Sequence, residues 1–298
     1  MYRGRFAPSP TGPLHFGSLV AAVGSHLEAR VNHGEWLVRI EDIDTPRVVP
    51  GAADDILRTL EAFGMAWDGA VLYQSTRTDA YRMALDQLQA DGALYACACT
   101  RREIADSAVQ GIDGPVYPGT CRNGPTPARA SHGCARRLRT QGARIAFNDG
   151  VQGHITQDVE NAVGDFVVAR ADGLTAYQLC VVVDDAAQGI THVVRGADLL
   201  DSTPRQIWLQ QRLQVATPHY AHLPVALNAQ GEKLSKQSRA AAVDHDHPIP
   251  ALINALIFLH HAPPAQLRAA AIRDIWSWAL ENWRLARLPP VRGEYYGN

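Results

Sequence analysis

Lys233 and Lys236 lie three residues apart in the polar stretch "GEKLSKQSRA", with Ser235 between them. Mobile ammonium groups suit negative charge that builds on a departing pyrophosphate. A lysine-bearing loop is equally an ordinary solvated surface. Near the start of the chain, "RFAPSPTGPLHFGSLVAAVGSHL" sets Pro8, Pro10 and Pro13 with Gly12 and Gly17 around His15, then becomes helical. A strand–turn–helix unit of this kind offers backbone N–H groups and a positive helix end to phosphates. The prolines stiffen the turn, the glycines allow close approach, and His15 stands just before the helix. It is neither a Gly-x-Gly-x-x-Gly fingerprint nor a Gly-Lys-Ser/Thr phosphate loop, and a structural turn can look similar. A third group is rich in sulfur: "CAC", holding Cys97 and Cys99, and then "YPGTC", from Tyr117 to Cys121. Cys-x-Cys brings two thiols together, and Gly119 permits the bend before Cys121. Three thiols and a fourth donor make a tetrahedral zinc site. Spacing alone favours Cys134 or His132 as that donor, and reduced thiols without metal are the alternative.

These groups need elements to position them. Residues 3–7 read as a short strand, and Phe16, Leu19, Val20, Val23, Leu27 and Val31 recur at helical spacing. Residues 36–41 form a second apolar strand ending in the acids of "WLVRIEDID". Residues 53–63 and 78–91 read as amphipathic helices, the second stopped by Gly92. Strands alternating with helices predict an α/β fold with a doubly wound parallel sheet, whose ligands sit beyond the carboxyl ends of strands at a switch point. Residues 96–144 break this pattern with Gly, Pro, Cys and Arg. Asp172-Gly173 is a hairpin turn signal, residues 181–183 read as a buried strand, and Cys180 beside them as core. "THVVRGADLL" reads as a strand with a loop, residues 207–213 as a helix, and residues 249–261 and 266–283 as closing helices. His219 and His222 read as packing or backbone-bonding groups, and His245 and His247 as solvated. Four parts follow: 1–95, the first half of the catalytic domain; 96–172, an inserted subdomain; 173–240, the second half; and 241–298, C-terminal helices.

Bulk properties narrow the function. The 298 residues carry 28 basic and 30 acidic groups, a net charge of -2, with 46% apolar and 19% charged residues. There is no global basic field, so nucleic-acid contact needs a local patch. Arg122, Arg129, Arg136, Arg137, Arg139 and Arg144 form one, with a plain solvated surface as the alternative. No apolar run reaches the roughly 18–20 residues that cross a bilayer, and no signal peptide precedes the first strand. Five cysteines, an odd number, argue for free thiols or metal ligands rather than a disulfide framework. The expectation is a cytoplasmic monomer.

"PSPTGPLHFGS" and "KLSK" resemble the two signature motifs of class I aminoacyl-tRNA synthetases. With "VRIEDID", "YQLCVVVDD", "VRGADLL", "HYAHLP" and "KLSKQ" in this order, roughly residues 3–240 are similar to the glutamyl branch of that class. The resemblance implies a Rossmann-type catalytic domain that is a ligase. ATP, with Mg2+, would lie between the turn carrying His15 and Gly17 and the loop of Lys233 and Lys236, with Lys236 stabilising pyrophosphate. The signature's second histidine is replaced here by Ser18. Glutamate would be held by Arg5, Phe6, Ala7, Pro8, Ser9, Glu41, Tyr177 and Arg195: the two arginines on its carboxylates, Glu41 on its ammonium, Tyr177 through its hydroxyl. Structural ion pairing is the alternative for Arg5 and Glu41. "CxC…YxxxC" matches a subgroup in which Cys97, Cys99, Tyr117 and Cys121 would hold one structural zinc ion. After Lys236 the chain has space for only two or three helices, without the long anticodon-reading region of the glutamyl enzymes. The subgroup with these features activates L-glutamate without tRNA and esterifies it to the queuosine base in the anticodon stem-loop of tRNA(Asp). The alternatives are a truncated synthetase charging the 3′ end of tRNA(Glu) or tRNA(Gln), and an inactive tRNA-binding paralogue.

Overall fold

The computed structural model describes residues 1–107, 109–112, 114–126, 133–234 and 241–297. Strands β1 (Arg3–Phe6), β2 (Glu35–Ile40) and β3 (Leu72–Tyr73) pair in parallel in the order β1-β2-β3. Trp36, Val38 and Ile40 alternate along β2 onto helix α1 (Phe16–Val31) and are fully buried. Helices α2 (Ala52–Ala62) and α3 (Thr78–Ala90) follow, the latter ending before Gly92 at φ 67°. Only glycine enters that left-handed region freely, which is why the stop signal was readable.

Strand β4 (Leu94–Cys97) leaves this pattern. After helix α4 (Arg101–Ser107) come the two-residue strands β5 (Gln110–Gly111) and β6 (Gly114–Pro115), then β7 (Ala135–Leu138). Strands β8 (Arg144–Asp149) and β9 (Gly153–Asp158), the short helix α5 (Val159–Ala162) and β10 (Phe166–Ala169) come next. β10, β7 and β4 make an antiparallel sheet, in which Leu138 faces both Leu94 and Phe166. The chain returns through helix α6 (Tyr177–Ala187), β11 (His192–Gly196), helix α7 (Thr203–Leu213) and β12 (His219–Leu223). β11, β12 and β8 are parallel neighbours, and β9 is antiparallel on β8. β1 lies beside β11, with the Thr191 N–H donating to Arg3 O at 3.0 Å. The seam between β1 and β11 is therefore where the chain order of the parallel strands reverses direction.

Two hydrophobic cores flank this surface. Phe6, Trp36, Val38, Val194, Ala221 and Leu223 pack with α1 in one. Val193 and Tyr220 belong to the other, with Leu179, Val181, Leu209 and Leu213 of α6 and α7. By strand alternation, Arg5, Arg39, Arg195 and His222 fall on the face away from α1. Those four side chains are buried, so the sheet carries its charge inside.

Three readings change. Residues 181–183 are helical, within α6. Leu179, Cys180, Val181, Val182, Asp184 and Asp185 are all buried there, so the valine run has no period to distinguish helix from strand. Cys180 is core, but on a helix. The turn at Asp172-Gly173 exists, with Gly173 at φ 88° and Arg170 N–H bonded to Leu174 O, yet α6 rather than a strand follows it. Residues 266–283 do not make one helix: a 3-10 turn (Ala265–Ala269) precedes helix α9 (Ile272–Asn282). A continuous helix sets residues five apart about 140° around its axis, and the break lets both Leu267 and Ile272 pack on the main core. Before it, helix α8 (Pro248–Phe258) lies against α1. Strand β14 (Gly293–Tyr295) pairs in parallel with β13 (Val225–Leu227), and Tyr296 stacks on Phe16 of α1 at 3.7 Å.

Candidate active site and metal centre

A cleft of about 890 Å³ opens at the β1–β11 seam, beyond the strand ends where open α/β sheets bind ligands. Arg5, Phe6, Ala7, Pro8, Ser9, His15, Gly17, Glu41, Tyr177, Arg195 and Lys233 all line it. Lys236 lies outside the described residues. Glu41 reaches the turn through its backbone, its N–H donating to Pro8 O at 3.0 Å.

The inner part of the cleft is a charge cluster. Arg5 donates from Nε and Nη2 to Asp185 at 3.1 and 3.5 Å. Arg39 reaches Asp185 at 2.8 Å and Glu41 at 3.5 Å. Burial raises the carboxyl pKa of Glu41 against the pull of Arg39 and Arg5. For Asp185 burial pushes upward too, but Arg5 and Arg39 win and hold it below the usual carboxylate range. Arg195 differs. Its Nε donates to His222 Nε2 at 3.1 Å, and its Nη2 to Thr203 Oγ1 and Gln206 Oε1, each at 2.8 Å. All three acceptors are uncharged, and the buried Nη1 has no partner among the described residues. Arg5 and Arg195 are thus each anchored through Nε and Nη2 rather than presenting that fork to a ligand. Tyr177 begins α6; burial, with Arg195 opposing and Glu41 adding, holds its phenol above the usual range, so it remains an O–H donor.

At the outer part, His15 caps α1 and accepts the Ser18 N–H through Nδ1 at 3.3 Å. That bond puts the ring proton on Nε2, 3.0 Å from Ser18 Oγ. A methyl group at Gly17 would come within 3.2 Å of both His15 Cε1 and Leu234 O, so glycine permits this closeness. Lys233 pairs with Asp198. The chain on either side of the second lysine is tied to the same mouth: Leu234 N–H donates to Ala226 O, and Ala242 bridges His15.

The sulfur group also converges. Sγ atoms of Cys97, Cys99 and Cys121 lie within 4.8 Å of one another, with Cys99 and Cys121 at 3.5 Å. Tyr117 Oη is 3.3 Å from Cys97 Sγ and 3.6 Å from Cys99 Sγ, and accepts the Cys121 N–H at 2.8 Å. Tetrahedral zinc with bonds of about 2.3 Å sets sulfurs about 3.8 Å apart, so the group has the right size. Thiols with a phenol suit zinc far better than magnesium or calcium. Gly119 takes φ 82° in the connecting bend, and Arg137 stacks 3.8 Å over the Tyr117 ring. Cys134 is not part of the three-thiol group, and His132 lies outside the described residues.

Comparison with known proteins decides the relationship. Residues 1–268 match the family described as tRNA synthetases class I (E and Q), catalytic domain. The chain is 62% identical to a glutamyl-Q tRNA(Asp) synthetase from Dechloromonas aromatica, covering 97% of this chain and 96% of that relative. The chain belongs to the glutamyl-Q tRNA(Asp) synthetase family. Members of that name from Aromatoleum aromaticum and Chromobacterium violaceum are 59% and 57% identical, covering 97% of this chain and 90% and 96% of theirs. Glutamate-tRNA synthetase from Elizabethkingia anophelis shares the fold with a TM-score of 0.80 at 24% identity, over 99% of this chain and 68% of that one. As a member of the family the chain is a ligase of the class I synthetase type, an α/β domain with a parallel sheet.

Some functional-looking residues escaped the sequence reading. His222 is no simple packing group; it bonds Arg195 and Asp149. Thr203 and Gln206 hold the same guanidinium. No motif spacing marks them; strand register does, because Arg195 and His222 are direct neighbours on β11 and β12. The basic run is largely turned inward. Arg122 pairs with Asp165, Arg137 donates to Asp165 O, and Arg139 covers Tyr95. Arg136 and Arg144 remain exposed, while Arg129 lies outside the described residues. Among the described residues no helix is long and apolar enough to cross a membrane.

Proposed function

We propose that this chain activates L-glutamate with ATP and transfers it to the queuosine base in the anticodon of tRNA(Asp). The supporting observation is charge. Arg5 and Arg39 pair with Asp185 and Glu41, whereas Arg195 has no carboxylate in direct contact among the described residues, Asp149 being held off by the neutral ring of His222. An amino acid with two carboxylates and one ammonium gives Arg195 the direct partner it lacks, and its buried Nη1 is a donor unmet among the described residues. Buried donors of this kind discriminate strongly for a ligand that satisfies them. In this reading Arg195 takes one substrate carboxylate, Arg5 and Tyr177 assist, Glu41 takes the ammonium, and the backbone from Phe6 to Ser9 wraps the rest.

The substrate supplies its own nucleophile. Its α-carboxylate oxygen attacks the α-phosphorus of ATP, the bond to the bridging oxygen breaks, and pyrophosphate leaves with that electron pair. Protein catalysis is then positioning and electrostatics. His15 and the α1 N-terminus face the phosphates across Gly17, and Lys233 and Lys236 neutralise the departing pyrophosphate. In the second step a cyclopentene hydroxyl of queuosine attacks the acyl carbon, AMP departs and the hydroxyl proton is lost. Cys97, Cys99, Tyr117 and Cys121 would hold one structural zinc ion, which supplies a cross-link where the local core is only a handful of residues. The inserted region, 96–172, is then a metal-braced module on the catalytic body of 1–95 and 173–240, with 241–298 as its helical extension.

Pyrophosphate exchange with glutamate and no RNA tests the first step, and labelled glutamate with tRNA(Asp) tests the second. The reading expects exchange without RNA and label only on queuosine-containing tRNA. Absence of exchange from folded protein, or equal labelling of queuosine-free tRNA, overturns it.

A further inference from the structure

We propose that Asp149 and His222 are a positioning pair that fixes the Arg195 guanidinium for the amino acid without cancelling its charge, an inference that rests on the glutamate reading of the cleft. Asp149 ends β8. Its Oδ1 accepts three backbone N–H groups, from Val151, Gln152 and His222, at 3.0, 2.9 and 3.0 Å. Its Oδ2 lies 2.6 Å from His222 Nδ1, and neither side chain is exposed. A carboxylate held this way only accepts, so Nδ1 carries the imidazole proton. Nε2 is then a lone pair, and Arg195 Nε donates to it at 3.1 Å. Thr203 and Gln206 hold Nη2, and the guanidinium lies 5.4 Å over the Tyr220 ring.

The order of the groups matters. A carboxylate placed directly against Arg195 would orient it but also neutralise it, as Asp185 does for Arg5. A neutral imidazole between Asp149 and Arg195 passes on direction while leaving the charge available. The neighbouring charges are Asp149, Arg195 and Asp198; burial, opposed by the Asp149 bond and helped by Arg195, pushes His222 down to about 4. The ring is therefore neutral at pH 7.

Asp149→Asn is the discriminating change. The three backbone N–H groups retain the amide oxygen, so the amide NH2 faces His222 Nδ1. The imidazole proton must move to Nε2, where it meets the Arg195 N–H with the Thr203 hydroxyl, also 3.1 Å away, beside it. Long-range nitrogen–proton NMR of labelled histidine reads the tautomer without any substrate: Nδ1–H is expected in the parent protein and Nε2–H in Asp149→Asn. In glutamate-dependent pyrophosphate exchange, KM for glutamate should rise about tenfold to hundredfold, with KM for ATP and kcat changed less than about twofold. His222→Gln retains an acceptor near Nε2 and should raise that KM less than His222→Leu, a comparison that does not depend on Asp149→Asn folding. In a His222→Gln background, Asp149→Asn should add little. An unmoved tautomer, an inverted tautomer with unchanged KM, parallel rises for glutamate and ATP, additive effects, or equal Gln and Leu variants each overturn the pair. If exchange instead requires another amino acid, the glutamate reading fails, and the same KM comparisons with that amino acid still decide the pair.

Discussion

Arg195→Gln probes the charge balance of the cleft through the choice between glutamate and glutamine. The two amino acids differ by one formal charge and almost nothing in shape. With glutamate bound, Arg195 gains a carboxylate in direct contact. With glutamine bound, Arg195 keeps only uncharged groups in direct contact. Two unit charges about 4 Å apart interact by about 4 kcal/mol at an effective dielectric of 20. Hydration of free glutamate offsets part of that, and hydrogen bonds to charged groups retain about 1.5–3 kcal/mol. This corresponds to about tenfold to 150-fold in kcat/KM. The assay is pyrophosphate exchange with each amino acid, expressed as the ratio of kcat/KM values, so any loss of folded protein cancels. Arg195→Gln should lower the glutamate preference by that factor. A variant with the parent ratio would show that Arg195 does not meet the side-chain carboxylate of the substrate.

Asp185→Asn removes the carboxylate that Arg5 and Arg39 share and should lower stability by about 3–5 kcal/mol, read from the denaturant midpoint. Gly17→Ala pushes a methyl against Leu234 O and His15; KM for ATP should rise while KM for glutamate stays nearly constant, measured in the same exchange assay. Cys97→Ser or Cys121→Ser should drop bound zinc from about one ion per chain to near zero, measured by elemental analysis. Stability should also fall as pH drops from about 6.5 toward 4. Burial pushes His222 down to about 4 and, with Arg30, His26 down to about 3. Each binds a proton in the unfolded chain first, so its contribution is full above 6.5 and declines by up to about 1.4 kcal/mol per pH unit below it. Unfolding free energies flat between pH 5 and 7 would contradict the buried neutral rings.

Much of the site was readable because local chemistry announces itself. Pro8 and Pro10 restrict the backbone and Gly12 frees it within a few residues of His15, and the apolar residues Trp36, Val38 and Ile40 alternate because one face of their strand meets α1. The two lysines, by contrast, have meaning only with the turn that precedes them by over two hundred residues. What stayed hidden depends on lateral pairing. Asp185 and Arg39 were not marked by spacing, because the parallel sheet and α6 join them from distant segments. Val181 to Val183 misled for a related reason: a helix covered on nearly all sides loses the amphipathic stripe that would reveal it. The arginines near the thiols looked like a solvent-facing belt, since sequence cannot show that Asp165 and two tyrosine rings wait underneath.

The pairing of β14 with β13 and the stacking of Tyr296 on Phe16 have a bearing on biosynthesis. Phe16 is synthesised some 280 positions before its aromatic partner. The nascent chain must therefore hold α1 incompletely covered while those positions are made, a long interval in which apolar surface is open to chaperones.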